Sequence, residues 1–309
     1  MKINLDKAIN ILKNGELIIF PTETVYGLGG DATNKKTIKK IYKLKKRPII
    51  NPIICHFKNI NQIEKNFLIT PRAYDLANKF WPGPLTLILE KKDSSHINSI
   101  LSNNNKFVGC RIPNNQIALN LLNEIDFPIA APSANISSKL SSTRISHISD
   151  ILLKNAYFVD GGESLYGLES TVVKVIDDKN AQILRLGSIT LEQIKKIIPN
   201  TKIDNVKNSL VSPGQLTKHY SPNKNIRINV DYVKEDESLL NFGSNDLKSK
   251  ILELNLSHDS NLEEASKNFY NFLHILDKSN CKGIAIANIP NEGLGKTLND
   301  RLMRAASIE

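Results

Sequence analysis

The stretch LIIFPTETVYGLGGDA, residues 17–32, constrains the fold more than any other segment of this chain. It begins with a short apolar run, Leu17 to Phe20, which predicts a buried strand. A loop rich in threonine and glycine follows at 21–30. Glycine allows the backbone to approach a ligand closely, and hydroxyl groups can bind a small polar substrate. We interpret this loop as part of a binding site, with a plain turn as the alternative.

Helices and strands alternate on both sides of this segment. Helical spacing of apolar residues occurs at 5–14, 34–46, 71–80, 115–124 and 190–197. Apolar runs of strand length lie at 53–57, 85–89, 107–112, 128–131, 157–159, 171–176 and 181–186. An alternation of this kind predicts an α/β fold with a mixed sheet.

The regular pattern stops at 200–225, where VSPGQLTKHYSP (211–222) has no clear period and is bracketed by prolines. A second alternation follows, with strands predicted at 226–230, 239–242, 251–254 and 283–287 and helices at 262–276 and 294–306. We therefore expect three segments: a first domain at 1–200, a linker at 201–225 and a smaller α/β domain at 226–309.

The composition of the 309-residue chain is that of a globular protein, with 40% hydrophobic and 23% charged residues. The net charge of +10 favours anionic partners such as nucleotides, RNA or acidic lipid, although general lysine abundance explains it equally well. Cys55, Cys110 and Cys281 lie far apart in apolar runs, which argues against zinc and against disulfides. Without a signal peptide or an apolar run of roughly 20 residues, we expect a cytoplasmic protein with no membrane contact.

Two arginines are candidate anion ligands. Arg47 lies in the basic segment KLKKRPIINP (43–52), between the end of a helix and a strand. Ligands bind at strand ends in α/β folds, so this segment predicts a phosphate site as readily as a solvated helix face. Arg111, inside the apolar strand VGCRIP (108–113), is costly to bury unless a substrate anion or a structural carboxylate pairs with it. His56 also ends an apolar strand and is more typical of a core residue.

Small polar residues follow two further predicted strands, in AAPSAN (130–135) and in LEST (168–171), where hydroxyl and N–H groups can cradle phosphate. The triplet GKT (295–297) resembles the end of a P-loop, but Pro290 stands where its first glycine belongs. Asp300-Arg301 is expected to form a structural ion pair. The residues thus indicate an α/β enzyme with a basic, hydroxyl-rich cleft for a phosphorylated ligand, and they leave its reaction open.

Taken together, these motifs resemble the YrdC/Sua group of threonylcarbamoyl-AMP synthases. The matching stretches of the first domain follow the family's order: FPTETVYGLGGDA (20–32), KKRPIINPIICH (45–56), FWPGPLTLIL (80–89), VGCRIP (108–113), PIAAPSANIS (128–137), VDGG (159–162), GLESTVV (167–173) and ILRLG (183–187). The long, two-domain members are resembled by SPGQLTKHYSP (212–222) and GLGKTLNDRLMRAA (293–306). The chain departs from the family at Leu186, at 114–115 and at 215–218, which affects the placement of loops and linker.

The resemblance implies a YrdC-like twisted mixed sheet with a concave cleft, plus a smaller Rossmann-like C-terminal domain. It implies an enzyme that converts L-threonine, bicarbonate and ATP into threonylcarbamoyl-AMP and pyrophosphate, the first step of threonylcarbamoyladenosine formation in tRNA that reads ANN codons. Mg²⁺ is expected with ATP, and the resemblance leaves its protein ligands open; no tightly bound cofactor is expected. The tRNA threonylcarbamoyltransferase machinery is the expected partner. An RNA-binding module of this fold without synthase activity is the alternative.

Site residues are implied by matching position. The resemblance implies Lys45 and Arg47 as catalytic residues that hold the triphosphate. It implies further ATP contacts at Asn51, Ser133, Asn135, Ser141, Arg185 and Tyr220. It implies threonine contacts at Thr24, His56, Arg111, Ala131 and Ser170, with Arg111 pairing with the substrate carboxylate. Because Tyr220 lies in the predicted linker, the linker is expected to close over the cleft as a lid.

Overall fold

The computed structural model describes residues 1–204 and 219–306. The first domain is built on an eleven-stranded mixed sheet with the order β11-β10-β9-β5-β6-β3-β7-β2-β1-β8, in which β4 pairs with β5. Its strands are β1 Ile18–Phe20, β2 Gly27–Asp31, β3 Cys55–His56, β4 Phe67–Leu68, β5 Leu85–Lys91, β6 Phe107–Arg111, β7 Ile129–Ala130, β8 Tyr157–Phe158, β9 Thr171–Val175, β10 Asn180–Arg185 and β11 Asn200–Ile203. The predicted α/β fold with a mixed sheet is confirmed.

Amphipathic helices connect the strands of the first domain. They are α1 Leu5–Lys13, α2 Lys35–Lys45, α3 Ile60–Asn66, α4 Pro71–Phe80, α5 Gln116–Asn123, α6 Asp150–Asn155 and α7 Leu191–Lys195. Most begin after an asparagine or threonine whose side chain accepts a hydrogen bond from a free N–H of the first turn, as Asn34 does for α2. Helix α2 is followed by the C-cap residue Lys46, whose left-handed backbone (φ 52°) turns the chain, and the next residue, Arg47, is buried.

The centre of the sheet sets the positions of the candidate residues. Strands β3 and β6 are parallel neighbours, and their register pairs His56 with Arg111. On its other side β3 is antiparallel to β7, with Cys55 opposite Ala130. Since the carboxyl ends of adjacent parallel strands open at one edge of a sheet, His56 and Arg111 lie side by side there.

The structure corrects the prediction that 21–30 is entirely loop, since Gly27–Asp31 is strand β2. Its glycines are required by close packing. A Cβ on Gly29 would lie 2.6 Å from a methyl group of Ile129 and 2.7 Å from the ring of Phe20, and one on Gly30 would lie 2.4 Å from Thr37. The binding-loop hypothesis therefore applies to the threonine-containing half, 21–26.

The second sheet contains four parallel strands in the order β12-β15-β13-β14. The strands are β12 Asn225–Arg227, β13 Glu237–Asn241, β14 Glu253–Asn255 and β15 Gly283–Ile286, and the helices are α8 Leu262–Lys278 and α9 Gly293–Ala306. Strand β11 runs parallel to β10, so the first sheet extends to Ile203, past the predicted boundary at 200. Most of the predicted linker, 205–218, lies outside the described residues. Within residues 1–204 and 219–306, no helix combines the length and apolarity needed to cross a bilayer.

Two histidines stack where the domains meet. His147, which ends the short 3₁₀ turn Ile145–His147, lies 4.1 Å from His274 of α8, measured between ring centroids, with the rings 15° from parallel. The His147 Nε2 atom is 3.2 Å from the Asn271 amide oxygen, and the His274 Nε2 atom is 3.0 Å from the Ser141 carbonyl. Burial, followed by the charge of His274, lowers the pKa of His147 to about 3, and burial lowers the pKa of His274.

These depressed pKa values predict that acid weakens the folded protein. A histidine in the unfolded chain titrates near pH ~6.5, so the unfolded state binds more protons as the pH falls below that value, and stability falls with it. We expect the melting temperature to drop between about pH 7.5 and about pH 5.5, and His147→Gln to reduce that drop. The exposed His96→Gln is the control. An unchanged pH dependence in His147→Gln would contradict the prediction.

Candidate active site

A partly open pocket lies where the carboxyl ends of β3 and β6, in the middle of the first sheet, open at one edge. Its walls combine three arginines with hydroxyl groups, backbone and a few aromatic rings. The lining residues are Thr22, Thr24, Val25, Tyr26, Gly27, Arg47, Ile54, His56, Arg111, Ala131, Pro132, Ser133, Glu169, Ser170, Arg185, His219 and Tyr220. The pocket thus gathers residues from eight separate stretches of the sequence.

Most of the residues singled out from the sequence line this pocket: Thr24, Arg47, His56, Arg111, Ala131, Ser133, Ser170, Arg185 and Tyr220. Four do not, namely Lys45, Asn51, Asn135 and Ser141. Each of these four instead bonds to a part of the chain that does line it. The cations and hydroxyls of the first domain therefore converge on one cavity.

Lys45 holds the turn that follows β7. Lys45 is 1% exposed, and its ammonium group donates to the carbonyl oxygens of Ser133, at 2.5 Å, and Asn135. The Asn135 side chain continues this arrangement, since its Oδ1 accepts from Ser133 Oγ at 2.5 Å and its Nδ2 donates to the Lys139 carbonyl at 2.7 Å. Burial, followed by the charge of Arg47, lowers the pKa of Lys45 well below its usual value. This cation therefore shapes the wall of the pocket.

Arg47 is fixed by the loop that follows it. Its Nη2 atom donates to Asn51 Oδ1 and to the Pro52 carbonyl, each at 2.6 Å, and its Nε atom donates to the Asn51 carbonyl at 3.1 Å. Burial lowers the pKa of Arg47 to about 10, so the guanidinium stays charged at neutral pH. Asn51 therefore acts on the pocket by orienting Arg47.

Arg111 is buried against a carboxylate that does not line the pocket. Its Nη2 atom lies 2.7 Å from Glu23 Oε1, although the angle is not that of a hydrogen bond, and its Nε atom donates to the Gly83 carbonyl at 3.2 Å. Beside it, His56 Nδ1 is buried without a hydrogen-bond partner. Burial, followed by the charge of Arg111, lowers the pKa of His56 to about 3, so this imidazole is neutral.

Arg185 closes the far side of the cavity. Its Nη2 atom donates to the carbonyl and hydroxyl oxygens of Ser170 at 2.8 and 2.9 Å, and its Nε atom donates to the same carbonyl at 3.1 Å. The Ser170 hydroxyl also lies 2.7 Å from the Thr86 hydroxyl of β5. The position of this guanidinium therefore depends on the start of β9 and on its neighbour β5.

Glu169 is a pocket residue that sequence reasoning missed. Its Oε1 atom accepts hydrogen bonds from Ser141 Oγ at 2.5 Å and from the Tyr270 hydroxyl at 2.8 Å. Burial raises the pKa of this carboxyl, but the charges of Arg301 and Arg185 outweigh burial and lower the pKa to about 2. The sequence signal that could have revealed Glu169 is its position between the apolar Leu168 and Ser170, directly before a buried strand.

Tyr220 and His219 cover the pocket from the second domain's side. Tyr220 is 1% exposed, its backbone is left-handed (φ 63°), and its buried hydroxyl has no hydrogen-bond partner. The two rings lie 3.9 Å apart, and His219 Nδ1 is likewise buried without a partner. Unpartnered buried polar atoms are costly, so these two groups are suited to receive a ligand.

Comparison with known proteins agrees with this geometry. A family model for Sua5/YciO/YrdC, described as "Telomere recombination", matches residues 10–187, and one described as "Threonylcarbamoyl-AMP synthase, C-terminal domain" matches residues 189–307. The chain is 34% identical to the threonylcarbamoyl-AMP synthase of Bacillus subtilis (strain 168), with 97% of this chain and 92% of that protein aligned. It is 33% identical to the protein of the same name from Pyrococcus abyssi, with 97% and 93% aligned.

The chain belongs to the threonylcarbamoyl-AMP synthase family. The crystal structure of P. abyssi Sua5 complexed with L-threonine superposes on it with a TM-score of 0.87 at 29% identity, covering 99% of this chain and 96% of the other. Both the mixed sheet and the smaller parallel sheet are therefore features of the family. The resemblance seen in the sequence is confirmed.

The C-terminal domain contacts the first domain at residue 186, beside Arg185 of the pocket. The Leu186 carbonyl, at the end of β10, accepts a hydrogen bond of 2.6 Å from Arg301 of α9. Arg301 also contacts Asp300 at 2.5 Å, which confirms the expected ion pair, and its Nε atom lies 3.1 Å from Glu169 Oε2. In this synthase-family chain the C-terminal domain thus reaches the back of the pocket.

The Glu23–Arg111 pair gives a prediction about stability. Removing one partner of a buried ion pair leaves a buried charge uncompensated, so we expect Glu23→Gln to lower the free energy of unfolding by ~3 kcal/mol in urea denaturation. Glu16→Gln, which breaks the exposed pair with Lys40 (2.6 Å), is the matched control and should change it by less than about 1 kcal/mol. Equal effects of the two variants would contradict the prediction.

Proposed function

We propose that this chain makes threonylcarbamoyl-AMP from L-threonine, bicarbonate and ATP, with release of pyrophosphate. The observation that supports it most is the convergence of Arg47, Arg111 and Arg185 with hydroxyl groups on one pocket. The carboxylate of an amino acid and the phosphates of a nucleotide need positive charge at separate points of a shared cavity. The family relation, over nearly the whole chain, supplies the reaction class.

We place L-threonine at the end of the pocket nearest β3 and β6. There Arg111 would pair with the carboxylate, and the unpartnered His56 Nδ1 atom would accept or donate one hydrogen bond. Thr24, Ala131 and Ser170 line the same cavity and would contact the rest of the amino acid. A single methyl contact discriminates threonine from serine by only about 1–3 kcal/mol, so hydroxyl geometry must add to the selectivity.

We place ATP along Arg47, Ser133, Arg185 and Tyr220, which line the remaining wall. Asn51, Asn135 and Ser141 act from behind that wall, through Arg47, Ser133 and Glu169 respectively. Lys45 also acts from behind, because its ammonium binds the carbonyls of the 133–135 turn. We therefore assign Lys45 to positioning of that turn.

The chemistry needs positioning and charge stabilisation. The threonine nitrogen forms a C–N bond to bicarbonate, whose C–O(H) bond breaks to release water, and a carbamate results. A carbamate oxygen then forms a bond to the α-phosphorus, and the bond from that phosphorus to the bridging oxygen breaks as pyrophosphate leaves. Arginines already fixed in place stabilise the developing phosphoryl charge without reorganising. Glu169, the one carboxylate among the described lining residues, already accepts hydrogen bonds on both oxygens, so Mg²⁺ would enter bound to ATP.

The product is a mixed anhydride that water hydrolyses. Tyr220 and His219 lie over the pocket at 1% and 5% exposure and would keep water from it. A tRNA threonylcarbamoyltransferase partner would then move the threonylcarbamoyl group onto an adenosine. This hand-over places the chain at the first step of a tRNA modification.

The defining test is pyrophosphate release from ATP by the purified chain. We expect release that requires both L-threonine and bicarbonate, because the attacking group is the carbamate that these two form. Omitting each substrate in turn is the control. ATP turnover independent of threonine, or tRNA binding without any turnover, would overturn the proposal and favour an RNA-binding module.

Arg47→Ala should abolish synthesis while leaving the fold intact. The loss of a preorganised charge at the phosphate should reduce kcat/KM by at least about 100-fold. Arg72→Ala, at an exposed arginine paired with Asp75, is the matched control and should leave kcat/KM unchanged. Retained activity in Arg47→Ala would remove Arg47 from the proposed site.

A further inference from the structure

The C-terminal domain places a fully buried arginine behind the active site. Arg301, on α9, is 0% exposed, and its three guanidinium nitrogens are all engaged. The Nε atom donates to Glu169 Oε2 at 3.1 Å, Nη1 donates to Asp300 Oδ2 at 2.5 Å, and Nη2 donates to the Leu186 carbonyl at 2.6 Å. Two of these three partners belong to the first domain.

Glu169 transmits this contact to the pocket wall. Its second oxygen accepts from the Ser141 hydroxyl of the first domain and from the Tyr270 hydroxyl of α8. The same carboxylate lines the pocket. Three side chains, two of them from the C-terminal domain, therefore fix one pocket carboxylate.

Arg301 touches two further parts of the nucleotide end. Its guanidinium carbon lies 4.5 Å from the centroid of the Tyr220 ring, a cation–π contact that fixes the ring covering the pocket. Through the Leu186 carbonyl it also fixes the residue next to Arg185. Glu169, Tyr220 and Arg185 all line the pocket, so one side chain of the second domain contacts three lining residues, two directly and Arg185 through its neighbour.

Domain docking alone does not account for a charge in this position. A buried ion pair contributes little more than well-packed apolar side chains of the same volume, because desolvation offsets the attraction. The domains also share an exposed ion pair, Lys296 with Glu192 at 2.7 Å, and a hydrogen bond of 3.0 Å from Thr297 to the Gly187 carbonyl. A buried guanidinium can instead fix the orientation of its partners, since its planar set of donors binds several acceptors at once.

We infer that Arg301 is a positioning residue for the nucleotide end of the active site, acting through Glu169 and Tyr220. The inference rests on the proposed function and gives the C-terminal domain a part in binding ATP. The threonine carboxylate, placed next to Arg111 and His56, contacts neither Arg301 nor Glu169. Only the far end of the amino acid, at Ser170, adjoins the residues that Arg301 fixes. Loss of Arg301 therefore affects the two substrates unequally.

The test compares Arg301→Met with wild type in steady-state assays of pyrophosphate release. We expect Arg301→Met to raise the KM for ATP by about tenfold and to change the KM for L-threonine by less than about twofold. Arg301→Lys keeps the charge beside Glu169 and should recover part of the ATP affinity. The control Lys296→Met breaks the exposed interdomain pair and should leave both KM values unchanged.

A structural role alone gives a different result. An equal rise in both KM values, or a lower melting temperature with an unchanged KM for ATP, would overturn the inference. If Arg301→Met does not fold, Tyr270→Phe removes only the hydroxyl that donates to Glu169, and it should raise the KM for ATP by about threefold. No change in that variant would likewise overturn the inference.

Calorimetric titration of ATP separates this inference from the proposed function. If wild type binds ATP but releases no pyrophosphate with threonine and bicarbonate, the proposed reaction is wrong, and the comparison of ATP affinities still tests Arg301. If wild type is active and Arg301→Met binds ATP as tightly as wild type does, the inference alone is wrong.

Discussion

Buried positive charge is the constraint on which the rest of this structure depends. Arg47, Arg111, Arg185 and Arg301 are each at most 8% exposed. A guanidinium out of water must be surrounded by acceptors, and the chain supplies them from backbone carbonyls, Asn51, Glu23 and Glu169. Each set of acceptors fixes its arginine in one orientation. The result is a cavity whose charges are already in place before a ligand arrives.

The two domains are joined through this same requirement. The contacts between them include the stacked His147 and His274, whose pKa values are lowered by burial, and the Glu169–Arg301 pair. Both involve titratable groups on which the pocket relies: His274 Nε2 meets the Ser141 carbonyl, and Ser141 donates to Glu169. One hydrogen-bonded network therefore both holds the domains together and positions the residues of the active site.

The sequence predicted the long elements and most of the pocket, because both leave local signals. Helix α2 ends at a basic segment, and β6 carries an arginine among apolar residues, so Arg47 and Arg111 were visible as candidates. Short elements such as α3, α6, β4 and β11 were not predicted, since two to seven residues carry no clear periodicity. The sequence also did not show which of the candidate residues line the pocket and which stand behind its wall. Whether Lys45 reaches a ligand or a carbonyl depends on side-chain direction, and the partnership of Glu169 with Arg301 joins residues 132 positions apart.

Two glycines of β2 show how a sequence motif can lead to a wrong assignment of activity. Gly29 and Gly30 lack side chains because Ile129, Phe20 and Thr37 occupy the space, and neither is among the residues that line the pocket. A degenerate homologue that has lost its enzymatic activity would still retain them for as long as it folded. The motif GLGG in such a homologue would therefore show that it has the fold, and it would not show that it has the activity. The residues that distinguish an active enzyme from an inactive homologue are those whose atoms line the cavity.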